Sequence, residues 1–314
     1  MDVVTVHPLA SADAAITTAM RAMASSSKGV LRGIEARGQF DAFMESVAPR
    51  ADVKFETGII GGIPGLWVHP AGARSDQGIL HLHGGWFSFG SATAYRHLVG
   101  HIAGRAGAKA FIPDYRLAPE HPFPAATEDV LSCYRGLAEM DIHRIALSGD
   151  SAGGNLALGL ASRIANADIS ANMVLAGVAV WSPVTDMTLS SASYQTRADA
   201  DPLFTRSQVA ELVHSYLGGA DPKNPLASPL HGRLVGLPPV RIHVGDDEVL
   251  LDDSRRYVER AVAEGIDAWL DVWMGMPHGF VGSIGRLTAA AQALDSVGVF
   301  LSERLSASPP VQSH

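Results

Sequence analysis

The chain has 314 residues, 47% of them apolar and 18% charged, an ordinary globular balance that excludes wholesale disorder. Against 24 basic side chains stand 32 acidic ones, a formal charge of −8 with no basic block, which argues against a nucleic-acid partner. Cys133 is the only cysteine, so neither an intrachain disulfide nor a cysteine-based zinc site can form.

The N-terminus has no basic region followed by an apolar segment of the kind a signal peptide needs. The longest apolar stretch, Met173 to Trp181, is too short to span a bilayer. A soluble cytoplasmic protein is the expectation. Residues 1–50 are rich in Ala, Met and Ser, with Ile16, Met20 and Met23, then Phe40, Phe43, Met44 and Val47, at helical spacing. They read as a helical segment whose methionines and aromatics either line an apolar pocket or seal the segment against the core. Val53, Phe55 and Thr57 alternate with polar residues, and Gly61-Gly62 precedes the run Ile63 to Val68, which predicts a β-hairpin.

Short apolar runs then alternate with helical patterns. Strands are expected at Ile79–Leu82, Lys109–Tyr115, Arg144–Leu147, Met173–Trp181, Val240–Val244 and 267–273. Helices are expected at 94–105, 126–139, 151–166, 252–264 and 285–305. This alternation predicts a mostly parallel sheet covered on both faces. Residues 184–238 interrupt it with five prolines and one helical stretch at 206–217, an insertion between two strands. Together with residues 1–50 it is placed to cap the carboxyl edge of the sheet, where open α/β folds bind ligands. The expected organisation is thus an N-terminal helical cap segment at 1–50, a core formed by 51–183 and 239–314, and a cap insertion at 184–238.

The strongest local signal is Gly149-Asp150-Ser151-Ala152-Gly153-Gly154. It places Gly-x-Ser-x-Gly after a predicted strand and at the start of a predicted helix, where a tight turn lifts a serine Oγ above the sheet. A serine hydroxyl needs a base, and the tetrahedral oxyanion needs donors. His83-Gly84-Gly85-Trp86-Phe87 follows an earlier strand, and its backbone N–H groups, from Gly84, Gly85 or Trp86, can join that of Ala152 in an oxyanion hole. His278, in Met276-Pro277-His278-Gly279-Phe280, follows the last predicted strand and is the expected base. His81 and His83 come too early in the chain, and His83 is better suited to bracing the oxyanion loop. His243 lies within a strand and reads as a core residue. The acid comes from Asp246, Asp247 or Glu248, which follow one strand with Asp252 and Asp253 close behind. Carboxylates of that loop not used in chemistry read as solvated. Trp86, Phe87 and Phe89 adjoin the oxyanion loop and are candidate pocket residues, Phe87 and Phe89 for substrate binding.

Four stretches, HGGWFSFGS at 83–91, DYRLAPEHPFPAA at 114–126, GDSAGGNLA at 149–157 and HGF at 278–280, occur in one order. In this the sequence resembles the hormone-sensitive-lipase group of α/β-hydrolases, the bacterial family IV carboxylesterases. The resemblance covers about residues 50–305 and implies an eight-stranded, mostly parallel sheet with helices on both faces and a helical cap. It implies a serine carboxylesterase acting on short- to medium-chain esters without cofactor or metal. Lactone hydrolysis by the same triad, and a non-catalytic small-molecule receptor on the same fold, are the alternatives. The family's Asp-x-Leu-x-Asp falls on Glu248-x-Leu250-x-Asp252, which aligns Glu248 with the catalytic acid and leaves Asp252 or Asp253 to cap the next helix. Arg116 and Glu120 are expected in buried polar contacts behind the oxyanion turn, and Asp150 as a brace of the same loop. The family's usual third glycine is Trp86 here. The resemblance also implies a possible homodimer through the last sheet strand, residues 267–273.

Overall fold

The computed structural model describes residues 2–166 and 173–307. The strands are β1 (Val4–His7), β2 (Val53–Ile60), β3 (Ile63–Pro70), β4 (Arg74–Leu82), β5 (Ala108–Pro113), β6 (Arg144–Asp150), β7 (Val174–Trp181), β8 (Val240–Gly245) and β9 (Ala268–Trp273). They form one nine-stranded sheet in the order β1-β9-β8-β7-β6-β4-β5-β3-β2. The β2/β3 and β3/β5 pairs are antiparallel and all the others parallel. The expected hairpin is β2–β3, at one edge.

Between these strands lie α1 (Ser11–Ser25), α2 (Arg37–Glu45), α3 (Ala92–Ala106), α4 (Ala125–Ala138), α5 (Ala152–Asn166), α6 (Ser193–Thr196), α7 (Arg206–Leu217), α8 (Leu251–Ala263) and α9 (Thr288–Ser306). The sheet has two buried faces, and the period-two alternation of each strand feeds both. On β5, Ala108, Ala110 and Ile112 join the cluster under α3 and α9, while Phe111 points to the opposite cluster under α4, α5 and α8. On β4, Ile79 serves the first face and Leu80 and Leu82 the second.

The sequence reading missed β1. Val4–His7 pairs in parallel with β9, from Val4 opposite Leu270 to His7 opposite Trp273, so the sheet has nine strands rather than eight. A four-residue strand with Val4 and Val6 exposed carries too little apolar patterning to stand out beside the helical residues that follow. Its presence corrects a second expectation. Residues 267–273 are flanked by β8 on one side and β1 on the other, so β9 offers no free edge for pairing a second copy.

The N-terminal segment is tied to the rest of the molecule at both ends of its helix. Asp13, buried, accepts the backbone N–H groups of Thr288 and Ala289 at 2.8 and 2.9 Å, and so caps α9 from outside that helix. Arg21 pairs with Asp247 and donates to the Gly275 carbonyl. Further on, Gly29 N–H donates to Leu203 O, and Gln208 Nε2 donates to Leu31 O, which joins residues 29–31 to the insertion after β7. Met20 and Met44 pack on the α3/α9 side of the core, the second of the two expected roles, and Met23 is exposed.

The insertion is anchored from below. Asn155 of α5 donates its Nδ2 to Val184 O and Ala227 O at 2.8 and 2.7 Å. Asp253 of α8 accepts Thr185 N–H, Asp186 N–H and Ser191 Oγ–H. Leu250 at the head of α8 offers no side-chain cap and Ser193 Oγ accepts Asp252 N–H there instead, so the capping role expected of Asp252 or Asp253 is not theirs. Asp253 instead faces the insertion, and Asp252 pairs with Arg255 within the helix.

Asp13→Ala leaves two helix N-terminal N–H groups without their acceptor. We expect a loss of about 1–2 kcal/mol of unfolding free energy, read by urea denaturation against wild type. An unchanged midpoint would show that the cap contributes nothing.

Candidate active site

Four strands deliver the candidate residues to the carboxyl edge of the sheet. β6 ends at Asp150, and the chain turns at Ser151 with φ +53° before α5 begins at Ala152. The turn is fixed on both sides: Ser151 N–H donates to Trp181 O at 2.8 Å, and Val184 and Asn155 N–H groups donate to Ser151 O. The flanking glycines are required by packing. A Cβ on Gly153 would collide with the Leu82 carbonyl of β4, and one on Gly149 would lie 2.7 Å from the same oxygen. Only glycine lets α5 start this close to the sheet.

The candidate acid and base meet across the ends of β8 and β9. His278 Nδ1 donates to Glu248 Oε2 at 2.8 Å. Glu248 Oε1 accepts Ser182 Oγ–H and Gly245 N–H, both at 2.7 Å. The carboxylate is fully buried and every one of its partners is a donor, as a buried charge requires. Burial presses the His278 imidazolium pKa down. The Glu248 charge and hydrogen bond, with Asp201 and Asp150 farther off, outweigh it, and the net shift is upward from 6.5. Among the described residues no hydrogen bond joins Ser151 Oγ to His278. In unliganded enzymes that contact is often long and tightens in the substrate complex.

The loop after β4 faces the start of α5. Gly84 N–H donates to Asp150 Oδ1 at 3.1 Å, and Tyr95 Oη–H donates to Asp150 Oδ2 at 3.0 Å. Asp150 therefore braces the loop, as expected. Burial pushes its carboxyl up to about 6, with His278 and the Tyr95 and Gly84 bonds pulling the other way. Gly84 is thus already engaged, whereas Gly85, Trp86 and Ala152 N–H groups have no acceptor among the described residues. Ala152 is the first residue of α5, where backbone N–H groups lack intrahelical partners and the helix end is positive. His83 is a buried brace. Its Nδ1 donates to Gly84 O at 2.8 Å, it stacks on Tyr115, and burial takes it down to about 4, so it is neutral near pH 7.

The remaining expectations fare unevenly. His243 is a core residue: its Nδ1 accepts Trp273 Nε1–H, and burial takes it down to about 4. The carboxylates around Glu248 are not a solvated loop. Asp246 accepts Gly275 N–H, Asp247 pairs with Arg21, and Asp253 is fully buried. Arg116 and Glu120 are themselves exposed. Arg116 clamps the buried Asp129 from a half-exposed position, and Glu120 pairs with Arg37 at the surface. Phe87 stacks on Tyr216 of α7 with centroids 3.6 Å apart, and Phe89 packs on Phe40 of α2. Both rings hold the loop against neighbouring elements.

Residues 79–282 match the family model of the α/β-hydrolase fold. The chain is 36% identical over 263 residues to an acetyl-hydrolase of Streptomyces hygroscopicus, covering 83% of this chain and 85% of that protein. It is 35% identical over 233 residues to an esterase of Acinetobacter venetianus, covering 73% and 76%. A crystal structure of an esterase from the bacterial hormone-sensitive lipase family matches at TM-score 0.85 and 36% identity, over 94% of this chain and 99% of that one. The chain belongs to the α/β-hydrolases of the bacterial hormone-sensitive-lipase family. A crystal structure of EstE5 soaked with p-nitrophenyl butyrate also matches, at TM-score 0.84 and 35% identity, over 93% of this chain and 99% of that one.

Two residues at the site of this α/β-hydrolase escaped the sequence reading. Asp201, fully buried in the insertion, accepts the N–H groups of Leu203, Phe204 and Val249, and so joins the insertion to the loop carrying Glu248. Phe204 lies edge-on to His278 with ring centroids 5.1 Å apart. Nothing in the irregular, proline-rich stretch around them marks either one. Trp86 and Phe87, at φ +50° and +59°, hold left-handed conformations. These cost a bulky residue about 1–3 kcal/mol and persist only where the surroundings enforce them.

The upward shift of His278 depends on Glu248. By NMR titration, wild-type His278 should titrate above 6.5, and in Glu248→Gln its pKa should fall. An unmoved titration would remove Glu248 as the group that sets it.

Proposed function

We propose that this chain is a serine carboxylesterase in which Ser151, His278 and Glu248 form the triad. The observation that carries the reading is the buried Glu248–His278 pair at the carboxyl edge that also presents the strained Ser151 turn and three unpartnered N–H groups. The sequence matches to named esterases support the same chemistry.

Ser151 Oγ attacks the ester carbonyl carbon while His278 Nε2 takes its proton. Glu248 holds Nδ1–H and stabilises the imidazolium as it forms. The carbonyl oxygen becomes an oxyanion held by Gly85, Trp86 and Ala152 N–H groups, with Gly84 engaged in bracing the loop through Asp150. Collapse of the tetrahedral species breaks the bond to the alkoxy group, which leaves with the Nε2 proton as the alcohol. Water, deprotonated by the same nitrogen, then attacks the acyl-enzyme, and the carboxylic acid departs with Ser151 restored. The N-terminal helices and the insertion at 184–238 form a cap over this site. The contacts of residues 29–31 with Leu203 and Gln208 support that arrangement. The substrates are small-molecule esters of short to medium chain, with lactones as the second class the same triad serves. We place the enzyme in the cytoplasm. Among the described residues no helix is long and apolar enough to cross a membrane. A homodimer built by strand pairing at the β9 side would have to use β1.

Initial rates on p-nitrophenyl butyrate test the reading. Ser151→Ala and His278→Ala should each lower kcat by roughly 10⁴-fold or more, with unchanged circular dichroism. Near-wild-type turnover in either variant would overturn the triad. Only neutral His278 accepts the serine proton. Because its pKa is raised, the rate should fall as the pH drops through a value above 6.5 rather than below it. A profile flat from pH 5 to 8 would remove His278 as the base.

A further inference from the structure

Glu248 and His278 stand on separate loops, and a residue from the start of the chain ties those loops together. Asp247 immediately precedes Glu248, and Gly275 lies three positions before His278. The loops meet along a seam of backbone contacts. Asp246 N–H donates to Trp273 O at 3.0 Å, Asp247 N–H to Met276 O at 3.3 Å, and Gly275 N–H to Asp246 Oδ1. Arg21 of α1 lies across the seam. Its Nη2 pairs with Asp247 Oδ2 on one side and donates to Gly275 O at 3.1 Å on the other. That nitrogen carries two N–H groups, one for each loop. Asp247 is buried and Arg21 half-buried, so water screens the pair less than it would at the open surface. Asp13 secures the start of the same helix on α9, so Arg21 projects from an anchored element.

The pair that the seam serves has little tolerance. Glu248 and His278 meet through one bond of 2.8 Å, and a slide of about 1 Å between their loops would break it. Misplacement on that scale can cost as much as about 10²-fold in rate. We propose that Arg21 is a positioning residue, which holds Glu248 in register with His278 by tying the acid loop to the base loop. This rests on the carboxylesterase reading above. Arg37 of α2 offers a comparison from the same N-terminal segment. It donates to Ser88 O at 2.8 Å and Ala118 O at 3.0 Å and pairs with Glu120. It thus holds the oxyanion loop but touches neither the acid loop nor the base loop.

The test reads the Glu248–His278 bond directly as well as the rate. In proton NMR a histidine Nδ1–H held by a buried carboxylate resonates far downfield of the amides, and its loss in His278→Ala assigns it. In Arg21→Gln that resonance should broaden or vanish through exchange with water. On p-nitrophenyl butyrate kcat should fall about tenfold, with KM within about threefold of wild type. Arg21→Lys keeps a cation whose Nζ has donors for both loops, and should recover most of the resonance and of kcat. Arg37→Gln removes comparable contacts and should keep the resonance. Asp247→Asn weakens the same tie from the other side and should shift both readouts in the same direction, should Arg21→Gln not fold. A folded Arg21→Gln that keeps both the resonance and kcat overturns the proposal. So does an Arg37→Gln that loses the resonance to the same extent, because Arg21 would then act only through general docking of the segment. A wild type that shows the resonance but hydrolyses no ester overturns the carboxylesterase reading and leaves the tie to be judged on the resonance alone. A wild type without the resonance overturns the Glu248–His278 bond and the tie with it.

Discussion

The arrangement depends on one buried charge. Glu248 sits in the interior, where a carboxylate is tolerable only if its oxygens are met by donors. Those donors come from three places: Ser182 beyond β7, Gly245 at the end of β8 and His278 beyond β9. Satisfying one side chain thereby fixes the relative positions of three adjacent strand ends. Ser182 adopts φ +43° to reach it, and a Cβ on Gly245 would collide with the Met276 carbonyl of the chain segment leading to His278. The placement of His278, the proposed base, is thus a by-product of solvating Glu248.

The same logic extends outward. Asp201 and Asp253 are buried carboxylates and Asp150 a partly buried one, all with backbone N–H partners, and each joins elements far apart in sequence. Asp150 ties the oxyanion loop to the end of β6, Asp201 ties the insertion to the acid loop, and Asp253 ties the start of the insertion to α8. Residues in the left-handed region concentrate here as well: Trp86, Phe87, Ser151 and Ser182 all flank the site. Backbone strain is retained where such networks hold it in place.

Much of this was legible because it is local. Gly149 to Gly154 encodes the turn and the tight helix approach within six residues, and the strand and helix alternation has a short-range period. The alignment of Glu248 with the family acid rested on a five-residue pattern that includes Leu250. What stayed hidden is long-range. β1 gains its identity only from pairing with a strand more than 260 positions away. The five carboxylates of 246–253 look alike in sequence, and only tertiary contacts separate the partner of His278 from the partner of Arg21 or of the insertion. Gly84 and Gly85 are equivalent as letters, yet the Asp150 acceptor engages one and not the other. Phe204 sits in a segment with no regular period to read.

The first helix of the chain has its partners at the other end. β1 lies on β9, Asp13 caps the start of α9, and Arg21 reaches Asp247 and Gly275. On the ribosome β1 and α1 emerge well before β9 and α9, whose synthesis all of these contacts await. Docking of this segment therefore cannot precede synthesis of α9. A truncated product therefore lacks both the clasp and the residues that the clasp secures.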